Sequence, residues 1–477
     1  MGVTETCRKR HDLSTVQAAV AAGHTATVEA GIEVLETGGS AADAAVAACL
    51  ASCVSETVMT GLLGGGHGIY LDGASGETRN LDCFVSVPGL DAQRRQAELL
   101  QLDIPFGTEL VHYAVGIASC GVPGLPAGLA ALHGAYGRLP WPRLVEPALR
   151  LARRGVEFPP AHASCLAMLA PVMTMNEGAR IYAPGGELLS PGARLEQPGL
   201  VRALELLAAE GPRSVYEGSL GASLLELMDE RGGVVTELDL RSYDASWSEP
   251  VEVAYADTRF LTRAGLSGVP ATIADLPPLR GVAAPERAVA LARALDAASV
   301  EGHTTNLSVV DGAGSACVLT TSLGLGSGDF LPRLDLHLNS MLGETDLIRG
   351  GLEPGERMAS MMAPSIAVDA DGIVLAAGAA GGTRLRSALV QVVAGILDEG
   401  LEPDAAVTRP RLHPTAGLVH LEPGFEPGVA PALEAEGYEV RAWPALHHYF
   451  GGVSVTGRAG CAGDPRRSGS ARVVSPR

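Results

Sequence analysis

From His303 onward, apolar side chains recur at every second position, which is the period of a β-strand. Thr305–Val310 and Ser315–Ser322 flank a glycine-containing turn and predict an antiparallel hairpin. Ile366–Val368 and Ile373–Ala377 flank a second turn and predict another hairpin. The C-terminal part of the chain is therefore expected to contribute antiparallel sheet.

Helical periodicity characterises the regions before and after these hairpins. An apolar stripe with helical spacing runs from Val28 to Leu35, and Ser40 with Asp43 forms a capping-box pattern that opens a second helix, Ala41–Val54. Further helices are predicted at Leu144–Arg154, Leu200–Glu210, Gly221–Asp229 and between Gly381 and Gly400. The Pro- and Gly-rich stretch 264–284 is predicted to be a linker. Together these patterns predict a sandwich of sheets covered by helices.

The chain is acidic, with 35 basic and 54 acidic side chains among 477 residues and a formal net charge of -19. Such a field repels phosphate backbones and anionic lipids, so we expect neither a nucleic-acid partner nor a membrane partner. Lys9 is the single lysine, which excludes a P-loop lysine or a Schiff-base lysine beyond the extreme N-terminus. The basic residues around Lys9 are not followed by an apolar run long enough for a signal peptide, so we expect a cytoplasmic protein.

Sequence signatures of metal and cofactor sites are missing. The eight cysteines show no CxxC spacing, and the twelve histidines do not cluster with metal-ligand spacing. There is no HExxH motif, no GxSxG elbow and no dinucleotide fingerprint. We therefore expect no metal and no organic cofactor.

Thr304 lies at the mouth of the first predicted hairpin, and the segment Thr304–Asp311, TTNLSVVD, resembles the TTHxSVVD segment of the γ-glutamyltransferase (γ-glutamyltranspeptidase) family. Other segments resemble that family in order and type: Gly38–Ala47, Gly121–Gly124, Tyr136–Pro140, Glu146–Ala148, Gly232–Leu240, Leu338–Asn339, Met362–Pro364, Gly378–Arg384 and Gly463–Arg466. These segments occur in the same order as in the family, and they are spread over most of the chain.

The resemblance implies an N-terminal nucleophile hydrolase with a four-layer αββα sandwich, made as one precursor that cuts itself between His303 and Thr304. The products would be a large-subunit segment, 1–303, and a small-subunit segment, 304–477, in one intertwined unit. Thr304 Oγ would attack the preceding carbonyl group, and water would hydrolyse the resulting ester. The cut would leave Thr304 with a free α-amine beside its hydroxyl.

That α-amine makes a histidine triad unnecessary, because its reference pKa of about 7.7–8.0 lets it accept the Oγ proton and return it to a leaving amine. The resemblance also implies that Ser322 supplies a second hydroxyl to the nucleophile, and that Gly381 and Gly382 supply N–H donors to the oxyanion. Glycines before a helix N-terminus suit this role, since exposed N–H groups and the positive end of the helix dipole converge there. The implied partners are a small-molecule amide and an acceptor, which is an amino acid, a peptide or water.

The resemblance breaks down at positions where the family binds the α-carboxylate and α-amine of a γ-glutamyl group. Phe84 stands where the family has a carboxylate-binding arginine, and a phenyl ring cannot form a bidentate pair with a carboxylate. Glu344 replaces an aspartate and keeps an acid for an amine. Ser360 keeps the first of two serines, and Met361 replaces the second. These changes predict retained chemistry with altered substrate specificity.

Three functions stay open at this point. The first is a self-processing γ-glutamyltransferase-like amidohydrolase or acyltransferase. The second keeps Thr304 but acts on a non-glutamyl substrate, as an acylase or as a carbon-carbon hydrolase of secondary metabolism; Phe84 favours it. The third is a non-catalytic homologue that retains the fold and stays uncut.

Overall fold

The computed structural model describes residues 16–91, 97–106, 109–296, 304–344, 347–348, 351–382 and 384–475. Within these residues, two antiparallel sheets pack face to face, and helices cover the outer face of each sheet. The predicted αββα sandwich is confirmed.

The first sheet has seven strands and contains the first predicted hairpin. From one edge to the other its strands are β22 (Ser470–Val473), β1 (Ala19–Ala22), β11 (Thr305–Val310), β12 (Ala316–Ser322), β2 (Gly65–Leu71), β3 (Thr78–Cys83) and β8 (Ser246–Ser248). In the β11–β12 pair Thr305 lies opposite Thr321. Strands from distant parts of the sequence therefore flank the hairpin on both sides.

The second sheet has six strands and contains the second predicted hairpin, β15 with β16. In order its strands are β21 (Gly460–Gly463), β20 (Gly452–Gly457), β16 (Gly372–Ala380), β15 (Ser365–Asp369), β10 (Thr258–Thr262) and β9 (Val251–Tyr255). Val310 and Val318 from the first sheet join Ile366 and Ile373 from the second in one buried apolar cluster. This alternate-residue packing explains the period-two pattern of both hairpins.

One helical layer covers the first sheet. α1 (Thr25–Glu36) and α2 (Ala41–Ser55) pack against each other, and every residue of α2 is buried. The capping box of Ser40 and Asp43 is present as predicted. The alanines of α2 allow the close approach of α2 to the sheet. The other helices of this half are α3 (Leu125–Tyr136), α4 (Trp141–Arg154), α5 (Pro160–Met173), α6 (Gly178–Tyr182), α7 (Pro198–Glu210), α8 (Ser219–Arg231) and α9 (Glu237–Arg241).

The other helical layer covers the second sheet. Its helices are α10 (Val269–Asp275), α11 (Ala284–Leu295), α12 (Arg384–Leu397), α13 (Pro403–Thr408) and α14 (Val429–Ala435). The prediction of a linker at 264–284 is wrong in one respect, because α10 lies within it and buries Val269 and Ile273. Seven residues are too few for a helical period to show in the sequence.

The remaining strands form small sheets outside the sandwich. They are β4 (Leu100–Phe106) with β5 (Glu109–Val115), β6 (Val156–Glu157) with β7 (Arg194–Leu195), β13 (Phe330–Leu331) with β14 (Leu336–His337), and β17 (Leu412–Thr415) with β18 (Leu418–Leu421) and β19 (Glu439–Ala442). In the described part of the chain, no helix has both the length and the apolar character needed to cross a membrane.

Candidate active site

Thr304 lies immediately before β11 and is buried at the end of the first sheet. Its Oγ1 accepts a hydrogen bond of 2.9 Å from the backbone N–H of Gly381, which follows the last residue of β16. The two sheets therefore meet at this hydroxyl. This backbone donor holds the hydroxyl oxygen in place between the two sheets.

Gly381 and Gly382 form the short connection between β16 and α12 that the sequence predicted. Gly381 has a φ of 130°, and a Cβ added there would lie 2.8 Å from Gly451 Cα, so both the backbone angle and the space require glycine. Gly382 also has a positive φ, 59°. The N–H of Gly381 points at the Thr304 hydroxyl, and the role of Gly381 and Gly382 as oxyanion donors stays a prediction.

Ser322 is the last residue of β12, and the register of the hairpin carries it to the position opposite Thr304. It is buried, and its Oγ accepts a 2.8 Å hydrogen bond from the N–H of Gly324. On its other side Ser322 pairs with Gly65 of β2. The structure thus brings Ser322 to the strand beside the nucleophile.

Glu56 was not singled out in the sequence, yet it is the acidic side chain that contacts the residue after the nucleophile. It follows α2 directly and is fully buried. Its Oε2 accepts a hydrogen bond from the hydroxyl of Thr305, and its Oε1 accepts one of 2.6 Å from Thr27. Burial raises the pKa of Glu56 to about 7, although these hydrogen bonds and the charge of Arg467 act in the opposite direction.

A cavity of about 20 Å³ lies beside Thr304 and is lined by Glu56, His162, Asp464 and Arg467 among others. Burial lowers the pKa of His162 to about 3, so its imidazole is neutral near pH 7. The Arg467 guanidinium is buried, and Nη1 donates to Met59 Sδ at 3.3 Å. Its Nε and Nη2 have no hydrogen-bond partner among the described residues. A buried cation with N–H groups available therefore faces a small polar space next to the nucleophile.

Phe84 is fully buried and stacks on the ring of His67 with 5.5 Å between the ring centroids. It belongs to an apolar cluster with Val85, Val87, Met341, Leu347, Met358, Met361 and Met362. A Cβ added at Gly65 would lie 3.0 Å from Phe84 Cα, so the Phe84 backbone lies directly against β2. Phe84 directly follows β3, which β12 and β2 separate from β11, and it lies in an apolar and methionine-rich setting.

Glu344 and Ser360 lie between β14 and β15, and both are buried. A Cβ added at Gly324 would lie 2.5 Å from Glu344 Oε1, so the Glu344 carboxylate reaches the loop that follows Ser322. Ser360 Oγ accepts a 3.2 Å hydrogen bond from the N–H of Met362. Glu344 therefore lies near the end of β12, whereas the contacts of Ser360 are with Arg263, Leu266 and Met362.

Arg263 and Arg357 are two further residues that the sequence analysis did not identify. Arg263 Nη1 donates to the carbonyl oxygen of Ser360 at 3.1 Å, and Arg357 Nη1 donates to that of Phe84 at 3.1 Å. Burial lowers the pKa of Arg263 to about 10. Both guanidinium groups therefore hold the backbone of loops that carry predicted substrate-binding residues.

His303 lies outside the described residues, so the structure gives no geometry for the peptide bond before Thr304. Within the described ranges, no three His, Cys, Asp or Glu side chains are grouped so as to hold a metal ion. The chemistry open to this site is attack by the Thr304 hydroxyl, with Gly381 as a donor.

Comparisons with known proteins find relatives over most of the chain. A curated acylase ACY 1 proenzyme from Pseudomonas sp. (strain V22) is 28% identical, over 92% of this chain and 90% of its own length. A glutathione hydrolase proenzyme from Bacillus subtilis (strain 168) is 25% identical, over 89% of this chain and 85% of its own length. The crystal structure of cephalosporin acylase from Bacillus halodurans has the same fold, with a TM-score of 0.80, 20% identity, and coverage of 100% of this chain and 99% of that one.

The sequence model of one protein family, described as Gamma-glutamyltranspeptidase, matches residues 27–288 and 283–474. These two segments include all of the helices and strands listed above except β1 and the first two residues of α1, and they include the loop that carries Gly381. The chain therefore belongs to the gamma-glutamyltranspeptidase family.

Proposed function

We propose that this protein is a self-processing, γ-glutamyltransferase-like amidohydrolase or acyltransferase that works through an acyl-enzyme on Thr304. The observation that carries this proposal is the 2.9 Å hydrogen bond from the Gly381 N–H to Thr304 Oγ1 at the buried start of β11. Two relatives named as proenzymes, one an acylase and one a glutathione hydrolase, support both the processing and the reaction on an amide.

Processing would cut the chain between His303 and Thr304 and give the segments 1–303 and 304–477. In the mature enzyme the α-amine of Thr304 would take the Oγ proton as Oγ attacks the substrate carbonyl carbon, and would return it to the leaving amine. Water, an amino acid or a peptide would then accept the acyl group. Nucleophile and base belong to one residue, so this chemistry requires no metal or cofactor.

The other predicted residues have roles in the same reaction. Gly381 and Gly382 would donate N–H groups to the oxyanion, and the position of Gly381 beside Thr304 Oγ1 supports this role. Ser322, on the adjacent strand, would hydrogen-bond the nucleophile. Glu344 and Ser360 would bind the polar groups of the substrate, and the closeness of the Glu344 carboxylate to Gly324, two residues after Ser322, supports this role for Glu344.

Substitution of Thr304 tests the proposal. Thr304→Ala should stay one chain of 477 residues and show no amidase activity, because both steps need the hydroxyl. Thr304→Ser should still split and turn over, since it keeps the hydroxyl and the amine. Intact-mass analysis and an assay with an anilide substrate measure both properties. A Thr304→Ala chain that splits or turns over would reject the proposal.

Phe84 favours a second candidate, an acylase that takes an apolar acyl group instead of γ-glutamyl. Its ring packs with Met341 and Met361, and methionine side chains adapt well to apolar ligands. Arg263 and Arg357 both donate to backbone carbonyl groups near this cluster. A γ-glutamyl α-carboxylate would therefore meet apolar side chains where the family supplies a guanidinium group.

A panel of p-nitroanilides separates the two candidates, because the leaving group stays constant while the acyl group changes. Under the second candidate, kcat/KM for hexanoyl or phenylacetyl anilide exceeds that for γ-glutamyl anilide by about tenfold or more, since an unpaired carboxylate in an apolar site is strongly disfavoured. A higher kcat/KM for the γ-glutamyl compound would reject the second candidate and leave the first.

A further inference from the structure

The uncut chain has a chemical requirement that the mature enzyme does not have. If Thr304 cleaves its own chain, as proposed above, its nitrogen still belongs to a peptide bond during the first cut. An amide nitrogen is not basic, so the α-amine that serves in the mature enzyme is not yet present. Another group must take up the Oγ proton.

Among the described residues, four titratable side chains line the cavity beside the nucleophile, and three of them are poor proton acceptors. The guanidinium of Arg467 has no acceptor atom. Asp464 accepts a 2.6 Å hydrogen bond from Arg411, and although burial acts in the opposite direction, attraction to that guanidinium keeps its pKa low. Burial lowers the pKa of His162 to about 3. The fourth group is Glu56.

We propose that the Glu56 carboxylate, acting through one water molecule in this cavity, accepts the Thr304 Oγ proton during the first cut. The hydroxyl of Thr305 donates to Glu56 Oε2, which fixes the carboxylate at the residue next to the nucleophile. The cavity of about 20 Å³ exceeds the roughly 10–15 Å³ that one water molecule needs. The Nε and Nη2 groups of Arg467 supply donors that would orient this water.

The proton balance of the first cut closes without any reagent other than water. Oγ forms a bond to the carbonyl carbon of residue 303 while its proton passes through the cavity water to the Glu56 carboxylate. The bond between that carbon and the Thr304 nitrogen then breaks, and the protonated Glu56 returns the proton to the nitrogen. A second water hydrolyses the ester, giving a carboxylate on residue 303 and restoring the Thr304 hydroxyl.

The surroundings of Glu56 set the pH range of this step. The groups that face it are the hydroxyls of Thr27 on α1 and Thr305 on β11, together with charged or titratable side chains: Cys49 on α2, His162 on α5, and Asp464 and Arg467 between β21 and β22. Burial raises the pKa of Glu56 to about 7. Its basic form therefore accumulates as the pH rises through about 7, and the rate of the first cut should rise over the same range and then level off.

The test follows the splitting of full-length chains, made by cell-free synthesis and transferred to buffers between pH 5.5 and 8.5, by intact-mass analysis. Wild-type splitting should accelerate through about pH 7. Glu56→Gln keeps the size of the side chain but removes its basicity, so its splitting should be at least about 100-fold slower and should not accelerate through pH 7. Glu56→Asp keeps a carboxylate and should restore the pH dependence at a reduced rate.

Thr27→Val is the matched variant, because it removes one hydrogen bond to Glu56 and leaves the carboxylate in place. That hydrogen bond lowers the pKa of Glu56, so its loss should move the midpoint of the splitting profile to higher pH. A purely structural role of Glu56 would not move the midpoint. If Glu56→Gln does not fold, the midpoint of the Thr27→Val profile still tests whether Glu56 accepts the proton.

The results distinguish a failure of self-cleavage at Thr304 from a failure of the role proposed for Glu56. A wild-type chain that never splits would reject self-cleavage itself. Wild-type splitting with a flat profile around pH 7, or Glu56→Gln splitting at the wild-type rate, would overturn only the role of Glu56. An unchanged midpoint in Thr27→Val would overturn it as well.

Discussion

At the scale of single residues, Thr304 Oγ1 accepts a hydrogen bond from the residue that directly follows β16 of the other sheet. Gly381 is 77 positions further along the chain, and its N–H reaches the hydroxyl because a glycine with φ of 130° turns the backbone there. Any other residue would be strained at this angle and would collide with Gly451. The reactive centre therefore depends on a close backbone approach as much as on the nucleophile.

Ser322 gives a residue-scale prediction for the mature enzyme. Ser322→Ala removes a hydroxyl expected to hydrogen-bond the nucleophile, so kcat should fall by roughly 10- to 100-fold, the equivalent of one charge-assisted hydrogen bond. Ser322→Thr keeps the hydroxyl and is the control. Steady-state kinetics on fully split protein measure the effect, and equal kcat values for Ser322→Ala and wild type would contradict the assigned role.

The sequence pointed to Thr304 and Gly381 because each lies in a segment that resembles a family motif, and to Ser322 because it falls on the returning strand of the hairpin, where the family carries a second hydroxyl. Glu56 and Arg467 could not be found in this way. Glu56 is a lone acidic residue after an apolar helix, and its partner Thr305 is 249 positions away. No local pattern encodes such a pair, since only the folded sheet brings the two residues together.

At the scale of secondary-structure elements, the glycine-rich segment before β2 has a packing role. A Cβ added at Gly64 would overlap the carbonyl oxygen of Ser322, and one added at Gly66 would lie 2.5 Å from the carbonyl oxygen of Thr320. β2 and the loop before it can therefore lie against β12 only because these positions carry no side chain. This contact fixes the end of β12, where Ser322 lies.

Gly64→Ala should lower the free energy of unfolding by about 1–3 kcal/mol, because the added methyl group must push β2 and β12 apart. It should also reduce activity by displacing Ser322. Gly312→Ala is the matched control. Gly312 lies in the turn between β11 and β12, and a Cβ added there meets nothing within 4 Å. Urea denaturation measures both variants. A stability of Gly64→Ala equal to that of Gly312→Ala would contradict the packing argument.

The elements with strong local signals were predicted correctly from the sequence. α2 has a capping box, and the two hairpins have period-two patterns joined by turns. α10 was missed because it is short. The order of strands within each sheet was not predicted, because pairs such as β1 with β11 join residues almost 300 positions apart and periodicity carries no information about partners.

At the scale of the whole molecule, the predicted cut would fall between segments that share one sheet. β11 lies between β1, from the N-terminal segment, and β12, while β22 pairs with the other edge of β1. Separating the segments would break these ladders and expose the apolar cluster between the sheets. We therefore expect the two pieces to stay associated after cleavage as one folded unit.

The most direct measurement of the central claim is native and denaturing mass spectrometry of the same purified sample, with N-terminal sequencing of the smaller piece. The account predicts a single native complex with the mass of the whole chain plus one water. Denaturation should release two pieces, and the smaller should begin at Thr304. An intact chain that nevertheless turns over an amide substrate, or a smaller piece that begins at another residue, would contradict the account.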